Sequence, residues 1–311
     1  MENEAQKFID FIITQKCTYK CKYCSQSKRQ TKNCSHVSKH VISGFYRFLD
    51  NLDKDYEITI TGGEAILHPE FFNIIETVKN KGFKINLITN LSFKLDTYQK
   101  IFEILGETLN RFDISFHIDQ IQNFNLMLEK LEEFMLLKPR ITKTTFFIPL
   151  DDIDDKKESK IDKILRVAKK HGVQHSFQKI RFLNSFKNFN HEKYSSSHVK
   201  RNTFAKLCFA GCESAVIYEN GEAYRCYSSR FNYSNYLGNV QELDFTLNKD
   251  ACACTSCLCN CPKPQAYNQI CIERDYIEAL RDLGLNVLNL PRLIIKNKEV
   301  VFTKIKQFLI N

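Results

Sequence analysis

Short runs of apolar, β-branched and aromatic residues recur along the chain, separated by polar or glycine-containing segments. Runs of this length and composition predict buried β-strands. We predict six strands, at 8–14, 56–61, 84–90, 112–117, 143–150 and 175–182. After the first, longer interval, successive strands start about one strand-helix unit apart, which is typical of alternating α/β folds.

Helical patterns with recognisable ends lie between these strands. Ser38 can cap one helix, Pro69 suits the first turn of the next, and Gly82 can end it. A further helical stretch at 157–171 ends at Gly172. The alternation predicts an α/β fold with a parallel sheet, a partial (β/α)6 TIM-like barrel whose functional groups lie at the carboxyl ends of the strands.

The alternation of strands and helices ends after the sixth strand, so we divide the chain into four segments. We assign 1–184 to the partial barrel and the Ser- and Asn-rich residues 185–206 to a linker or lid. A small cysteine-rich domain follows at 207–275, with short strand-like pieces. Residues 276–311 form a helical or mixed tail without a recognisable motif.

Composition narrows the class of protein. The chain has 311 residues, a net charge of +9 and thirteen cysteines. It shows neither a secretory signal nor an apolar run long enough for a membrane helix, so we expect a cytoplasmic protein without a membrane partner. In a reducing compartment, many cysteines indicate metal more than disulfides. Lysines are scattered over helix faces, so we predict no nucleic-acid partner.

Three cysteines stand close together at the end of the first strand: Cys17, Cys21 and Cys24. An iron-sulfur cube normally takes four cysteines, so three would leave one iron open to a substrate or cofactor. The alternative is a zinc knuckle in which Cys34 or His36 supplies the fourth ligand.

A second motif, TGGEAILHPEF at 61–71, follows the second strand and opens a helix. We expect Gly62 and Gly63 to let the backbone approach a ligand closely, because glycine has no Cβ. Glu64 can accept hydrogen bonds from an ammonium group, which has three donors.

The Cys-x3-Cys-x2-Cys spacing, with aromatic Tyr23, and the Gly-Gly-Glu segment resemble the signatures of radical S-adenosylmethionine (SAM) enzymes. The resemblance implies a SAM-binding 4Fe-4S cluster whose open iron is chelated by SAM, with the amino group of SAM bound at Gly62–Glu64. It also implies a 5′-deoxyadenosyl radical that abstracts hydrogen from a substrate, and an external reductant such as flavodoxin or ferredoxin.

Further strand ends resemble family positions more weakly. The resemblance places Asn90 on the ribose of SAM, Ser115 on its carboxylate and Ile148 on its adenine. A turn asparagine and a core isoleucine are the alternatives for Asn90 and Ile148. The family pattern continues after the serine with Asp, where this chain has His117.

A second group of cysteines resembles the auxiliary-cluster domains of the SPASM or shorter twitch type. A hairpin at Asn220 and Gly221 would bring the cysteines on either side of it together. The resemblance implies one or two auxiliary 4Fe-4S clusters, and a zinc ribbon is the alternative. The predicted ligands are Cys208, Cys212, Cys226, Cys252, Cys254, Cys257, Cys259, Cys261 and Cys271.

An auxiliary cluster can accept an electron from a substrate radical, so we predict oxidation of the substrate with a base to take the proton. His117, Asp151 and Asp152 are the candidate bases; a satisfied histidine and a solvated acidic loop are the alternatives. We expect a peptide or protein substrate or a sugar-type metabolite. Because only sixteen residues precede Cys17, we expect peptide recognition by a leader-binding domain in the same chain to be less favoured, though still open. The competing hypothesis is an iron-sulfur electron-transfer or zinc-binding protein without SAM chemistry.

Overall fold

The computed structural model describes residues 7–21, 24, 35–139, 141–150, 154–179, 214–225 and 236–247. All six predicted strands are present within these residues. They are β1 (Phe8–Thr14), β2 (Glu57–Gly62), β3 (Lys84–Thr89), β4 (Leu109–Ser115), β5 (Thr145–Leu150) and β6 (Gln174–Lys179). They form a parallel sheet in the order β6-β5-β4-β3-β2-β1, so the predicted α/β class and parallel sheet are confirmed.

Five helices connect these strands: α1 (Lys39–Asp50), α2 (Phe71–Asn80), α3 (Leu95–Leu105), α4 (Phe124–Leu137) and α5 (Asp155–Lys170). The predicted cap is present, because the Ser38 side chain accepts a hydrogen bond from Val41 N at 3.2 Å. The predicted helix ends are also present, because Gly82 and Gly172 take positive φ angles of 85° and 64° just after α2 and α5.

The helices pack on one face of the sheet through a continuous apolar core. Its densest part is a cluster of aromatic rings in which Tyr98 and Phe102 of α3 and Phe134 of α4 surround Phe112 of β4, with centroids 5.2–6.0 Å from that ring. All four side chains are buried. Burial of large aromatic surfaces of this kind is the main stabilising contribution to the sheet-helix interface.

Around β3 the other face of the sheet carries polar side chains, because side chains alternate along each strand. Asn86 of β3 donates to Glu57 of β2 at 2.9 Å and accepts from Asn110 of β4 at 3.1 Å. β4 begins at Leu109, three residues before the predicted start, because the polar residues Asn110 and Arg111 interrupt the apolar pattern that predicts a strand.

Three more strands extend the sheet beyond β1. They are β7 (Ser214–Ile217), parallel to β1, then β8 (Glu222–Tyr224) and β9 (Tyr236–Asn239), both antiparallel to their neighbours. The predicted hairpin is present, with Gly221 at a φ of 85° and Glu222 N donating to Asn220 Oδ1 at 3.2 Å. The pairing of β7 with β1 was not predicted.

The sheet as described is open, with β6 and β9 as its edge strands, which is consistent with a partial barrel. None of the helices in the described ranges combines the length and the apolar character that a bilayer crossing requires.

Candidate active site

Three loops meet at the carboxyl ends of neighbouring strands. The loop after β1 carries Cys17, Cys21 and Cys24, the loop after β2 carries Glu64, and the loop after β3 begins with Asn90. Because β1, β2 and β3 are adjacent and parallel, these residues come together at one edge of the sheet.

The cysteine-bearing loop is closed at its base by a short antiparallel pairing of residues 13–15 with residues 35–37. Gln15 N donates to Ser35 O at 3.0 Å and Val37 N donates to Ile13 O at 2.9 Å. The Thr14 hydroxyl lies 3.0 Å from His36 Nδ1. The two ends of the loop are therefore held together at the end of β1.

The loop after β2 is attached directly to the cysteine-bearing loop. Gly63 N donates to Thr14 O and Glu64 N donates to Lys16 O, both at 2.8 Å. A Cβ on Gly62 would lie 2.5 Å from Thr14 O, and one on Gly63 would lie 2.4 Å from Lys16 O. In the structure, these glycines therefore lie close to the backbone at the end of β1 and in the loop after it. The sequence had suggested that they lie close to a ligand.

Glu64 is a buried carboxylate, with 1% of its surface exposed. Thr89 Oγ1 donates to both of its oxygens at 3.1 Å, and Asn90 N donates to Oε2 at 2.8 Å. Burial raises the pKa of Glu64 to about 7, although these hydrogen bonds lower it. None of the ion pairs formed by the described residues includes Glu64. The carboxylate is therefore held by neutral donors at a place where positive charge would be stabilised.

The residues that hold Glu64 are themselves held by further hydrogen bonds, which the sequence did not indicate. Tyr98 Oη lies 3.5 Å from Thr89 Oγ1 and accepts from Phe93 N at 3.2 Å. Leu91 has a φ of 58° and its N–H donates to Thr89 Oγ1 at 3.2 Å. A left-handed leucine is unfavourable by about 1–2 kcal/mol, and such conformations cluster at functional sites.

Cys21 is buried, with 4% of its surface exposed, and Cys17 and Cys24 are half-buried. Burial raises the pKa of the Cys17 thiol, and the nearby Glu64 and Cys24 raise it further. A bound metal would reverse this, because coordination deprotonates a thiol.

The sequence profile of the Radical SAM superfamily matches residues 11–193, more than half of the chain. The chain belongs to the radical SAM superfamily. The match begins within β1 and covers β2–β6 and all three loops of the site.

Two curated relatives are named S-adenosylmethionine-dependent nucleotide dehydratases. The protein of Selenomonas ruminantium is 33% identical over 91 residues, which cover 28% of this chain and 31% of that protein. The protein of Fibrobacter sp. (strain UWH6) is 28% identical over 148 residues, which cover 42% of this chain and 44% of that protein. The match therefore spans less than half the length of either relative.

Solved radical SAM structures share the fold at low sequence identity. Streptococcus suis SuiB bound to the precursor peptide SuiA matches with a TM-score of 0.55 at 12% identity, over 78% of this chain and 64% of that chain. The anSMEcpe enzyme with bound AdoMet and Kp18Cys peptide matches with a TM-score of 0.54 at 14% identity, over 78% of this chain and 81% of that chain.

The radical SAM family implies a 4Fe-4S cluster and SAM, and the donors in the site fit both groups. Cys17, Cys21 and Cys24 offer three thiol ligands, and Glu64 offers an acceptor for a positively charged cofactor. Within the described ranges no three His, Cys, Asp or Glu side chains converge on a point where a single metal ion would bind. A cube, however, distributes three cysteines over three different irons.

The remaining predicted site residues lie further along the sheet. Ser115 ends β4 and is half-buried, and Ile148 of β5 is fully buried in the main apolar core. His117 precedes a short 3-10 helix, and its ring lies 5.9 Å from the ring of Tyr19, edge to face. Burial lowers the pKa of His117 to about 4, so its imidazole is neutral at pH 7.

Several predicted site residues lie outside the described residues. Tyr23, Asp151 and Asp152 are among them. So are all the predicted auxiliary ligands, Cys208, Cys212, Cys226, Cys252, Cys254, Cys257, Cys259, Cys261 and Cys271.

Proposed function

We propose that this radical SAM enzyme holds its catalytic cluster on Cys17, Cys21 and Cys24 and binds SAM between the cluster and Glu64. When bound, the cluster and SAM supply the 5′-deoxyadenosyl radical. The observation that carries the proposal is that the buried Glu64 is attached to the cysteine-bearing loop through Gly63 N and Glu64 N. The carboxylate and the thiols are therefore positioned as one unit.

Each residue of the site has a role in this proposal. Glu64 accepts hydrogen bonds from the amino group of SAM. Burial raises the pKa of its carboxyl, and the positive charge of the cofactor beside it would lower that pKa and favour the ionised form. Ser115 lies at the carboxyl end of β4, where it can contact the cofactor carboxylate. We retain Asn90 as a proposed neighbour of the ribose, whereas Ile148, fully buried in the main apolar core, fits the alternative of a core residue.

The substrate class has two sources of support. The relatives are named nucleotide dehydratases, and a nucleotide is a sugar-containing anion, which suits a chain with a net charge of +9. A sugar-type substrate, and specifically a nucleotide, is therefore our first candidate. A peptide or protein is the second, because the solved neighbours SuiB and anSMEcpe carry peptides.

Nine cysteines between residues 208 and 271 favour an additional oxidative step. We propose that these cysteines bind one or two auxiliary clusters within residues 207–275. A cluster of this kind would accept an electron from the substrate. Such an acceptor serves a sugar-type or peptide substrate that is oxidised; dehydration of a nucleotide removes no electrons from the substrate overall and would not use it. His117, Asp151 and Asp152 remain proposed bases, although the lowered pKa of His117 makes it a weak one. A flavodoxin or ferredoxin of the same reducing compartment is the proposed reductant.

The activity is tested with anaerobically reconstituted protein, dithionite and SAM. We expect the wild type to form 5′-deoxyadenosine and Cys21→Ala to form none. Cys34→Ala is the matched control, because Cys34 lies outside the three-cysteine motif, and it should retain activity. Product formation by Cys21→Ala, or its loss in Cys34→Ala alone, would contradict the cluster assignment.

The substrate class is tested by the rate of 5′-deoxyadenosine formation with added nucleoside triphosphates, sugars or peptides. If a nucleotide is the substrate, adding it should increase the rate of 5′-deoxyadenosine formation and yield a dehydrated nucleotide. Addition of a peptide should yield no dehydrated product. Iron analysis separates the auxiliary clusters: about four irons per chain indicates the catalytic cluster alone, and about eight or twelve indicates one or two more.

A further inference from the structure

The side chain of Asn90 contacts one of the cluster-binding sulfurs. Its Nδ2 donates to Cys17 Sγ at 3.6 Å and to Thr18 Oγ1 at 2.9 Å. Asn90 is 7% exposed, so little water competes for these bonds. The amide therefore stands beside the first cysteine of the motif as a hydrogen-bond donor.

The orientation of this amide follows from its other contact. Ser92 N donates to Asn90 Oδ1 at 3.1 Å. Because a backbone N–H can only donate, the oxygen of the amide must face Ser92 and the NH2 group must face Cys17. The left-handed Leu91 between them, whose side chain is buried, keeps this turn in place.

The backbone of the same residue contacts the proposed cofactor-binding carboxylate. Asn90 N donates to Glu64 Oε2 at 2.8 Å, while its side chain reaches Cys17. Asn90 is thus bonded to both halves of the site.

We propose that Asn90 is a positioning residue that raises the reduction potential of the cluster through its hydrogen bond to Cys17 Sγ. The inference rests on the proposed function, since it needs the cluster at Cys17. Reduction adds negative charge to the cluster and its sulfurs, and a donor at a ligating sulfur stabilises that charge. The backbone N–H of Tyr19, 3.4 Å from the same sulfur, is the second donor and is unaffected by side-chain changes.

The test is the midpoint potential of the reconstituted, SAM-free cluster, followed by EPR in a redox titration. Asn90→Asp keeps an oxygen for Ser92 N but replaces the donor by a carboxylate oxygen. The ratio of reduced to oxidised cluster at a fixed potential should fall about tenfold, which is about 59 mV for a one-electron couple.

Two further variants separate this effect from a general weakening of the fold. Thr18→Val removes the acceptor of the second Nδ2 hydrogen at an exposed position, so the amide can shift towards Cys17 Sγ and the reduced fraction should rise. Ser92→Ala is the matched control, because it removes the hydroxyl that accepts from Thr18 at 2.9 Å but keeps the backbone donor to Asn90. Its potential should equal that of the wild type.

Opposite shifts in Asn90→Asp and Thr18→Val, with none in Ser92→Ala, would support the inference. A wild-type potential in Thr18→Val, together with an unshifted or cluster-free Asn90→Asp, would overturn it. If the wild type itself showed no 4Fe-4S signal, the proposed function would fail instead, so the two failures are distinguishable.

Discussion

Glu64 and Asp113 are the two carboxylates of the sheet region that are each only 1% exposed, but they have different partners. Asp113 of β4 lies 2.8 Å from Arg111 Nε and accepts from Thr145 N at 3.1 Å. The guanidinium and the carboxylate oxygen are not aligned for a hydrogen bond, so their contact is charge attraction. Glu64 has the neutral donors Thr89 and Asn90 instead.

Burial raises both pKa values, that of Asp113 to about 6 and that of Glu64 to about 7. The Arg111 charge lowers the pKa of Asp113, and no such cation acts on Glu64. A buried carboxylate that is paired with a cation of the same chain has a structural role. A buried carboxylate that is held only by neutral donors at a strand end is suited to bind a positive ligand. The difference predicts that the two residues will respond oppositely to neutralisation.

The largest expected effect is that of Glu64→Gln on SAM binding. Removing one partner of a buried, charge-assisted contact costs about 3–5 kcal/mol, which corresponds to a loss of affinity of at least about 100-fold. The unfolding free energy of the cofactor-free protein should stay the same or increase, because a buried charge is removed. Equilibrium binding and urea unfolding of the same samples measure both quantities. Unchanged affinity would remove Glu64 from the site.

Asp113→Asn should have the opposite effects, lowering the free energy of unfolding and leaving SAM affinity nearly unchanged. It leaves Arg111 without its partner but keeps an oxygen for Thr145 N. Breaking a fully buried pair costs 3–5 kcal/mol, but the Arg111 side chain is 22% exposed, so we expect about 2 kcal/mol of lost stability. SAM affinity should stay within about twofold of the wild type. A large loss of affinity without destabilisation would show that Asp113 also serves the cofactor.

The pH dependence of SAM affinity provides a third test. Because the pKa of Glu64 is raised to about 7, the carboxyl is mostly protonated at pH 6 and mostly ionised at pH 8. Affinity should rise about tenfold over this interval, and Glu64→Gln should lack this rise. In the cofactor-free protein the sign is opposite: the contribution of Glu64 to stability is present below pH 4.5 and is lost as the pH rises through about 7.

The smallest expected effect is that of Thr89→Val, which removes the hydroxyl that donates to both oxygens of Glu64. Loss of this donor should raise the pKa of Glu64 further, so the rise in affinity should move to higher pH. At pH 7 we expect affinity to weaken about fivefold, corresponding to about 1 kcal/mol. A pH profile identical to that of the wild type would show that Thr89 does not act on Glu64.

The sequence predicted the features that depend on local patterns. The six strands, the Ser38 cap, the Gly82 and Gly172 helix ends and the Asn220-Gly221 hairpin were all recognisable from periodicity and turn residues. The start of β4 was predicted too late, because its first residues include Asn110 and Arg111, which interrupt the apolar pattern.

The features that depend on contacts between distant segments could not be predicted. The pairing of β7 with β1 joins strands far apart in the chain, and the support of Glu64 by Thr89 and Tyr98 depends on the packing of α3. The need for glycine at 62 and 63 was recognised, but the atoms they approach, Thr14 O and Lys16 O, are known only from the fold.

The central claim is that SAM binds to an open iron of the Cys17, Cys21 and Cys24 cluster beside Glu64. The most direct test is an electron-nuclear double resonance measurement on the reduced protein with SAM labelled with 15N at its amino group. We predict a resolved 15N coupling to the cluster in the wild type. A native 4Fe-4S signal without any 15N coupling when SAM is saturating would contradict the account.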